Sequence, residues 1–130
     1  MRVHSLDHLV LTVADISATL VFYQDVLGIE AIRFRVADGT ERFALSFGVQ
    51  KINLHQSGSE FDPKAAAPTR GSADLCFLSE ESLDTWLAYL SAKSVSIEEG
   101  PVDRTGAQGA IRSLYIRDPD GNLIEISNTL

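Results

Sequence analysis

This chain of 130 residues is predicted to contain the same order of elements twice: a strand, a helix and three more strands. No other feature of the sequence restricts the possible folds as much as this repeat. In the first half, apolar and polar residues alternate over 7–13, and helical spacing follows up to Gly28. Asp15 is the predicted N-cap of this helix and Gly28 its predicted stop. Three β-leaning stretches complete the half, at about 29–36, 42–47 and 51–55.

The second half repeats this order with different residues. Residues 73–78 alternate as a strand, and Ser79 is the predicted N-cap of an amphipathic helix. A strand is predicted to begin at 94–97, and a glycine-containing loop is predicted over 101–109. Two further strands, joined by a turn, complete the half at about 111–117 and 123–127.

A duplicated unit of this kind constrains the architecture. Each module forms a curved sheet with one face covered by its helix, so the other face needs a partner surface. We therefore predict an α+β protein in which two βαβββ modules form a curved sheet around a cavity. The modules span about 5–56 and 72–128, joined by a linker at about 57–71, within one domain covering 1–130.

Charge and cysteine content exclude several functions. The chain has 11 Lys and Arg against 18 Asp and Glu, a formal net charge of −7, so no nucleic-acid partner is expected. No apolar run is long enough for a signal peptide or a membrane span, so neither export nor a membrane partner is expected. A single cysteine, Cys76, favours the cytoplasm. We expect Cys76 to be a small buried apolar residue rather than a nucleophile.

Strand alternation places several metal-binding residue types on the face opposite the apolar one. In the first half this face carries His8, Asn53 and His55, and in the second half Asp74 and Glu125. Matching the halves pairs His8 with Asp74 and Asn53 with Glu125. Imidazole and carboxylate groups from distant strands could thus meet around one cation.

Three segments together resemble a known superfamily. They are LDHLVL at 6–11, FY at 22–23 with LG at 27–28, and DPDGN at 118–122 followed by LIE at 123–125. The set resembles the vicinal oxygen chelate proteins, which comprise glyoxalase I, bleomycin and fosfomycin resistance proteins, and extradiol dioxygenases. The chain is most similar to short glyoxalase domain-containing proteins, through INLH at 52–55, FDPKAA at 61–66 and EEGP at 98–101 with RTGA at 104–107.

The resemblance implies a metal site. His8 and Glu125 match the family's first-strand histidine and last-strand glutamate, whereas Asp74 replaces its second histidine and Asn53 its other glutamate, with His55 two residues on. The implied ligands are therefore His8, Glu125, His55 and Asp74, a set that suits Ni, Zn, Mn, Fe or Co. A substrate with two neighbouring oxygens would chelate the ion, whose charge stabilises a developing enolate or alkoxide.

Two further residues are candidates for catalysis. Tyr115 lies just before the predicted hairpin, and Arg104 lies in the predicted loop, where it could contact an anionic substrate. The leading prediction is a metal-dependent lyase or isomerase of the glyoxalase type acting on a small substrate. The alternative is small-molecule binding without turnover, as in bleomycin resistance proteins.

Other activities of the superfamily rank lower, and one assembly is implied. Addition to a phosphonate epoxide is disfavoured because Arg104 and Arg112 are the only positive charges near the loop expected to hold the phosphonate. An extradiol dioxygenase is ranked last because it normally needs a longer chain. The resemblance also implies a homodimer.

Overall fold

The structure, a computed structural model, describes every residue from Met1 to Leu130. The chain forms two compact units, Met1–Arg70 and Gly71–Leu130. Each unit contains one helix and one four-stranded sheet with both parallel and antiparallel pairs. The predicted α+β class and the duplicated βαβββ order are therefore confirmed.

The first unit builds its sheet in the order β1-β4-β3-β2. Strands β1 and β4 pair in parallel, whereas β4 with β3 and β3 with β2 pair antiparallel. The parallel pair places the first and last strands of the unit side by side. The elements are β1 (His8–Val13), α1 (Ile16–Asp25), β2 (Glu30–Arg35), β3 (Glu41–Phe47) and β4 (Gln50–Gln56).

Helix α1 begins where the sequence predicts, after Asp15, but it ends at Asp25 with Val26 as its C-cap, before the predicted stop at Gly28. The Asp15 side chain accepts a hydrogen bond from the Ala18 N–H at 3.2 Å, as an N-cap does. Gly28 has φ +66°, a conformation that glycine adopts without strain, and it turns the chain after the helix. The helix packs over the apolar face of the sheet. The core of the unit includes Leu11, Val13, Tyr23, Leu45, Ile52 and Leu54.

The second unit repeats this topology with the order β5-β8-β7-β6. Again the first and last strands pair in parallel, and the other neighbours pair antiparallel. Its core includes Leu90, Leu114, Ile116, Ile124 and Ile126. The elements are β5 (Asp74–Leu78), α2 (Leu83–Ala92), β6 (Glu99–Gly106), β7 (Gly109–Arg117) and β8 (Leu123–Thr129). Neither helix of the protein is long and apolar enough to cross a membrane.

The N-cap of helix α2 is Ser82, so the prediction of Ser79 was wrong. The Ser82 hydroxyl accepts from the Thr85 N–H at 3.1 Å. Ser79 instead accepts from the indole N–H of Trp86 at 2.8 Å. Both serines suit a cap, and a tertiary contact decides between them: the Asn128 side chain accepts from the Leu83 N–H at 3.0 Å and fixes where the helix begins.

The segment predicted as a loop over 101–109 is mostly strand β6. Val102, Arg104 and Thr105 pair with β7, and only Ala107 and Gln108 form the turn between the strands. The glycines and Pro101 suggested a loop, but the register shift between Glu99 and Val102 accommodates the irregular residues within the sheet.

Candidate functional site

The polar face of the second sheet brings together three of the predicted site residues. Glu125 of β8 lies opposite Tyr115 of β7 on one side and opposite Cys76 of β5 on the other. Tyr115 lies opposite Glu99 of β6. Because directly opposite residues point to the same side of a sheet, these side chains form one row across four strands. Arg104 joins this row through its hydrogen bonds.

A continuous hydrogen-bond chain runs along this row. The Tyr115 hydroxyl donates to Glu125 Oε1 at 3.0 Å. Arg104 Nε donates to the same hydroxyl oxygen at 3.0 Å, and Arg104 Nη2 donates to Glu99 Oε1 at 3.2 Å. The Arg104 guanidinium carbon also lies 5.5 Å from the centre of the Tyr115 ring. The chain holds the Glu125 carboxylate in one orientation.

The electrostatics of this chain keep Tyr115 protonated. Burial raises the pKa of the Tyr115 hydroxyl; the Arg104 hydrogen bond opposes this rise, and Glu125 adds to it. The hydrogen bond to Tyr115 is in turn the main cause that raises the pKa of Arg104. At neutral pH the tyrosine is therefore a hydrogen-bond donor to Glu125 and not a base.

A cavity of about 420 Å³ opens over this face. Its walls include Arg104, Tyr115, Glu125 and Cys76, together with the β6–β7 turn around Ala107. This volume falls within the range of sites for small organic molecules. The second unit alone thus provides a concave site with an oriented carboxylate on its wall.

Cys76 lies on the cavity wall, which corrects the prediction of a buried residue. It is exposed, because its strand position points to the polar face and not to the helix. Its thiol lies 3.2 Å from the Ser127 hydroxyl. Partial burial raises the pKa of the Cys76 thiol, and Glu125 raises it further. The expectation that it is not an activated nucleophile agrees with this direction.

Asp74 stands on the same face as Glu125 but farther along the sheet. It is the first residue of β5 and lies opposite Leu123, two positions before Glu125. Its side chain is exposed. The structure thus puts Asp74 and Glu125 on the same side of the second sheet.

In the first unit, His8 begins strand β1 on the polar face of its sheet. Its Nδ1 donates to Asp7 Oδ1 at 2.8 Å, and 43% of its side-chain surface is exposed. Carboxylates that hold one ring nitrogen in this way commonly orient a metal-binding histidine through the other nitrogen. The arrangement leaves Nε2 of His8 directed away from Asp7.

The sheet register of the first unit separates His55 from His8. His8 lies opposite Lys51, whereas His55 lies opposite Thr12, four residues farther along the strands. This spacing corresponds to roughly 13 Å along the sheet. The same register puts Asn53 between them. The two histidines therefore occupy different parts of this face.

His55 is enclosed by a segment that follows β4. It is 8% exposed, and its ring meets Phe61 edge to face, with 5.4 Å between centroids. Burial is the main cause that lowers the pKa of His55, and the nearby Arg42 cation lowers it further. Folding therefore favours the neutral imidazole.

Replacing His55 with glutamine will reduce the fall in the free energy of unfolding that mild acid causes. The unfolded chain takes up a proton near pH 6.5, whereas the folded chain resists it, so the free energy of unfolding falls as the pH drops below about 6.5. His55→Gln lacks this component, so its stability will fall less between about pH 7 and pH 5. Urea unfolding at several pH values measures the difference. His4→Gln, which changes an exposed histidine, should follow the unmodified protein; parallel curves for all three proteins would contradict the prediction.

The two units place equivalent residues at equivalent positions. In the first parallel pair His8 lies opposite Lys51, and in the second Asp74 lies opposite Leu123. Lys51 therefore corresponds to Leu123, and two residues farther along each strand Asn53 corresponds to Glu125. The pairing of His8 with Asp74 and of Asn53 with Glu125, which was deduced from alternation alone, agrees with this register.

The structure also contains contacts that the sequence did not indicate. Glu99 bonds Arg104, and Phe61 covers both His55 and Arg42. Phe61 lies outside any periodic pattern, so no signal in the alternation could identify it. In neither unit do three His, Cys, Asp or Glu side chains come together as a metal-binding cluster.

Comparison with known proteins shows the family of the chain. The family model described as "Glyoxalase/Bleomycin resistance protein/Dioxygenase superfamily" matches residues 5–126. Metallothiol transferase FosB of Staphylococcus saprophyticus is 30% identical over 125 residues, which cover 95% of this chain and 76% of that protein. Both matches span nearly the whole of the two units.

Two relatives are much more similar. Virulence protein STM3117 of Salmonella typhimurium is 56% identical over 127 residues, covering 98% of this chain and 85% of that protein. Its crystal structure matches with a TM-score of 0.92 at 54% identity and covers 100% of both chains. Glyoxalase domain-containing protein RDO1 of Mycosarcoma maydis is 50% identical over 128 residues, covering 98% of this chain and 70% of that protein.

Proposed function

Because the chain belongs to the glyoxalase, bleomycin resistance protein and dioxygenase superfamily, we propose that it is a metal-dependent enzyme of the glyoxalase type. Its substrate is a small molecule with two neighbouring oxygen atoms, and the reaction is of the lyase or isomerase class. The observation that carries this proposal is the hydrogen-bond chain that orients Glu125 on the wall of the cavity. We further propose a cytoplasmic homodimer, as the resemblance and the single cysteine imply.

The donor set of the chain fits a divalent ion. Glu125 accepts from Tyr115 through one carboxylate oxygen, the outer contact that ligating carboxylates commonly have. Asp74 is a second carboxylate on the same face. The resemblance adds His8, whose Nδ1 is held by Asp7 while Nε2 remains for coordination. Such a set of nitrogen and oxygen donors suits Mn, Fe, Co, Ni or Zn.

We leave His55 out of this set because of its surroundings. It lies four residues from His8 along the sheet, and Phe61 covers its ring. When bound, the ion would supply positive charge to two substrate oxygens as negative charge develops on them.

Arg104 and Tyr115 act on Glu125. The Tyr115 proton stays on its oxygen and holds Glu125 Oε1, and Arg104 fixes the position of that hydroxyl. Arg104 already donates three hydrogen bonds within the protein, to Tyr115, Glu99 and the Asp103 carbonyl. Arg104 is therefore a positioning residue in this proposal, and its direct contact with an anionic substrate is not required.

A second candidate function is ligand binding without turnover. It is favoured by one observation, that the second unit has no cluster of three His, Cys, Asp or Glu side chains that could hold a metal ion. In this case the cavity holds a ligand through its shape and through the same hydrogen-bonding face.

Metal content and thermal stability separate the two functions. The metalloenzyme retains close to one divalent ion per chain when purified without chelators, and a chelator lowers its melting temperature and abolishes turnover of hemithioacetal substrates. A binding protein retains no stoichiometric ion, and its stabilisation by a ligand such as bleomycin survives chelation. Absence of both ion uptake and turnover would overturn the metalloenzyme proposal.

Removing the Tyr115 hydroxyl will weaken metal binding if that hydroxyl orients Glu125. We expect Tyr115→Phe to lower the affinity for a divalent ion by about 10- to 100-fold, the usual cost of losing an outer-sphere partner. Competition with a metal-sensitive dye measures the affinity. Tyr89→Phe, in helix α2 of the same unit, is the matched control and should bind the ion as the unmodified protein does. Equal affinities for both variants would contradict the role of Tyr115.

A further inference from the structure

Arg42 of the first unit is a cation without a carboxylate partner. Its guanidinium carbon lies 3.3 Å from the centre of the Phe61 ring, so the aromatic ring covers one face of the group. Its Nε atom is buried and has no hydrogen-bond partner. By contrast, the neighbouring Arg33 and Arg35 both pair with Glu41. A donor on a permanently charged group is thus left without an acceptor.

A buried acceptor without a partner lies on the same face. Asn53 Oδ1 is also buried and unbonded. Arg42 lies opposite Phe34 of β2, and Asn53 lies opposite Ala44, two residues after Arg42 in β3, so Arg42 and Asn53 are diagonal neighbours across β3 and β4. Diagonal neighbours have Cα atoms roughly 7–8 Å apart, which a small molecule can span with two hydrogen bonds. Buried polar atoms of this kind are rare in folded proteins and require a partner.

The chemistry of the two atoms defines what fits between them. A guanidinium whose face is stacked still presents its N–H edge, and this edge matches a planar carboxylate. Asn53 Oδ1 accepts and needs a donor such as a hydroxyl or an amino group. Lys51, on the same face, adds positive charge with its Nζ 4.6 Å from the Phe34 ring centre. Arg42 and Lys51 thus give this face two positive charges, although the chain as a whole has a formal net charge of −7.

We propose that Arg42, Asn53 and Phe61 form a site for a small α-hydroxy or α-amino carboxylate. The carboxylate accepts from the edge of Arg42, and the α-hydroxyl or α-amino group donates to Asn53 Oδ1. Phe61 fixes the plane of the guanidinium and excludes water from its face. The site lies within the first unit and uses none of the proposed metal ligands, so it stands independently of the proposed metal.

Nuclear magnetic resonance of the arginine side chains tests the site directly. Glycolate carries both the carboxylate and the hydroxyl, acetate carries only the carboxylate, and glycolamide carries the hydroxyl without the charge. Each compound is titrated into metal-free protein. Glycolate should shift the Nε–Hε resonance of Arg42. Acetate should bind about tenfold more weakly, since it lacks one hydrogen bond, and glycolamide should not bind measurably.

Two variants and a matched control assign the contacts. In Asn53→Ala, glycolate should bind no better than acetate, and Arg42→Lys should lose glycolate binding because lysine lacks the planar edge. Arg33→Lys, which changes an exposed arginine on the neighbouring strand, should bind glycolate as the unmodified protein does. Backbone amide spectra show whether each variant is folded. If glycolate leaves the Arg42 resonance of the unmodified protein in place, the buried atoms bind water only and the proposal is overturned.

Discussion

On the proposed function, the protein retains a divalent ion when purified without chelators, and Glu125→Ala is expected to lose it. We expect the metal content per chain to fall more than about tenfold, because a ligand of a site with few protein donors is removed. The Tyr115 hydroxyl would also lose its acceptor, so the effect should exceed that of Tyr115→Phe. Elemental analysis by plasma mass spectrometry measures the content. His8→Ala should show a similar loss.

A carboxylate outside the cavity gives the matched control for this result. Glu98 lies in the same unit and is paired with Arg117 at the surface, with Arg117 Nη2 2.9 Å from Glu98 Oε2. Glu98→Ala should retain the metal content of the unmodified protein. If Glu125→Ala and His8→Ala also retain it, neither residue binds the ion, and the proposed set of ligands is overturned.

Gly100→Ala will destabilise the second unit strongly. Gly100 has φ +103°, a conformation that residues with a side chain rarely adopt. An added Cβ would lie 2.4 Å from the Ser113 carbonyl oxygen and 2.8 Å from the Leu114 Cα, both backbone atoms that cannot move aside. Backbone strain and the steric clash each cost about 1–3 kcal/mol, so the free energy of unfolding should fall by about 3 kcal/mol or more. Urea denaturation measures the change.

The substitution should also disturb the site, since Gly100 follows Glu99, which bonds Arg104. Gly121→Ala is the matched control in the same unit. It also has positive φ, +84°, but its added Cβ would contact nothing within 4 Å. Only the conformational cost, about 1–2 kcal/mol, should remain. Equal losses in the two variants would show that close approach of the β6 and β7 backbones is not the dominant effect.

Much of the fold could be predicted because alternation is a local property. The buried apolar residues of β1, β4 and β8 follow the period of two, so the polar faces carrying His8, Asn53 and Glu125 were assigned correctly. The elements that were misplaced depend on contacts distant in sequence. Asn128 selects Ser82 as the cap, and pairing with β7 turns a segment rich in glycine into β6.

The site could be predicted only where strand positions determine it. Tyr115 and Arg104 were candidates from the sequence, but the hydrogen bonds between them depend on which residues lie opposite each other in β6, β7 and β8. The contact between Arg42 and Phe61 could not be foreseen, because Phe61 belongs to a segment without helix or strand. Alternation says which face a residue occupies and not which neighbour it meets there.

The parallel pairing of first and last strands determines the order in which each unit can form during synthesis. Strand β1 leaves the ribosome early but has no partner until β4 follows, and β5 must wait in the same way for β8. The second unit therefore stays open until β8 is translated. Deleting β8 would leave β5 and β7 with unpaired edges, and such edges favour aggregation.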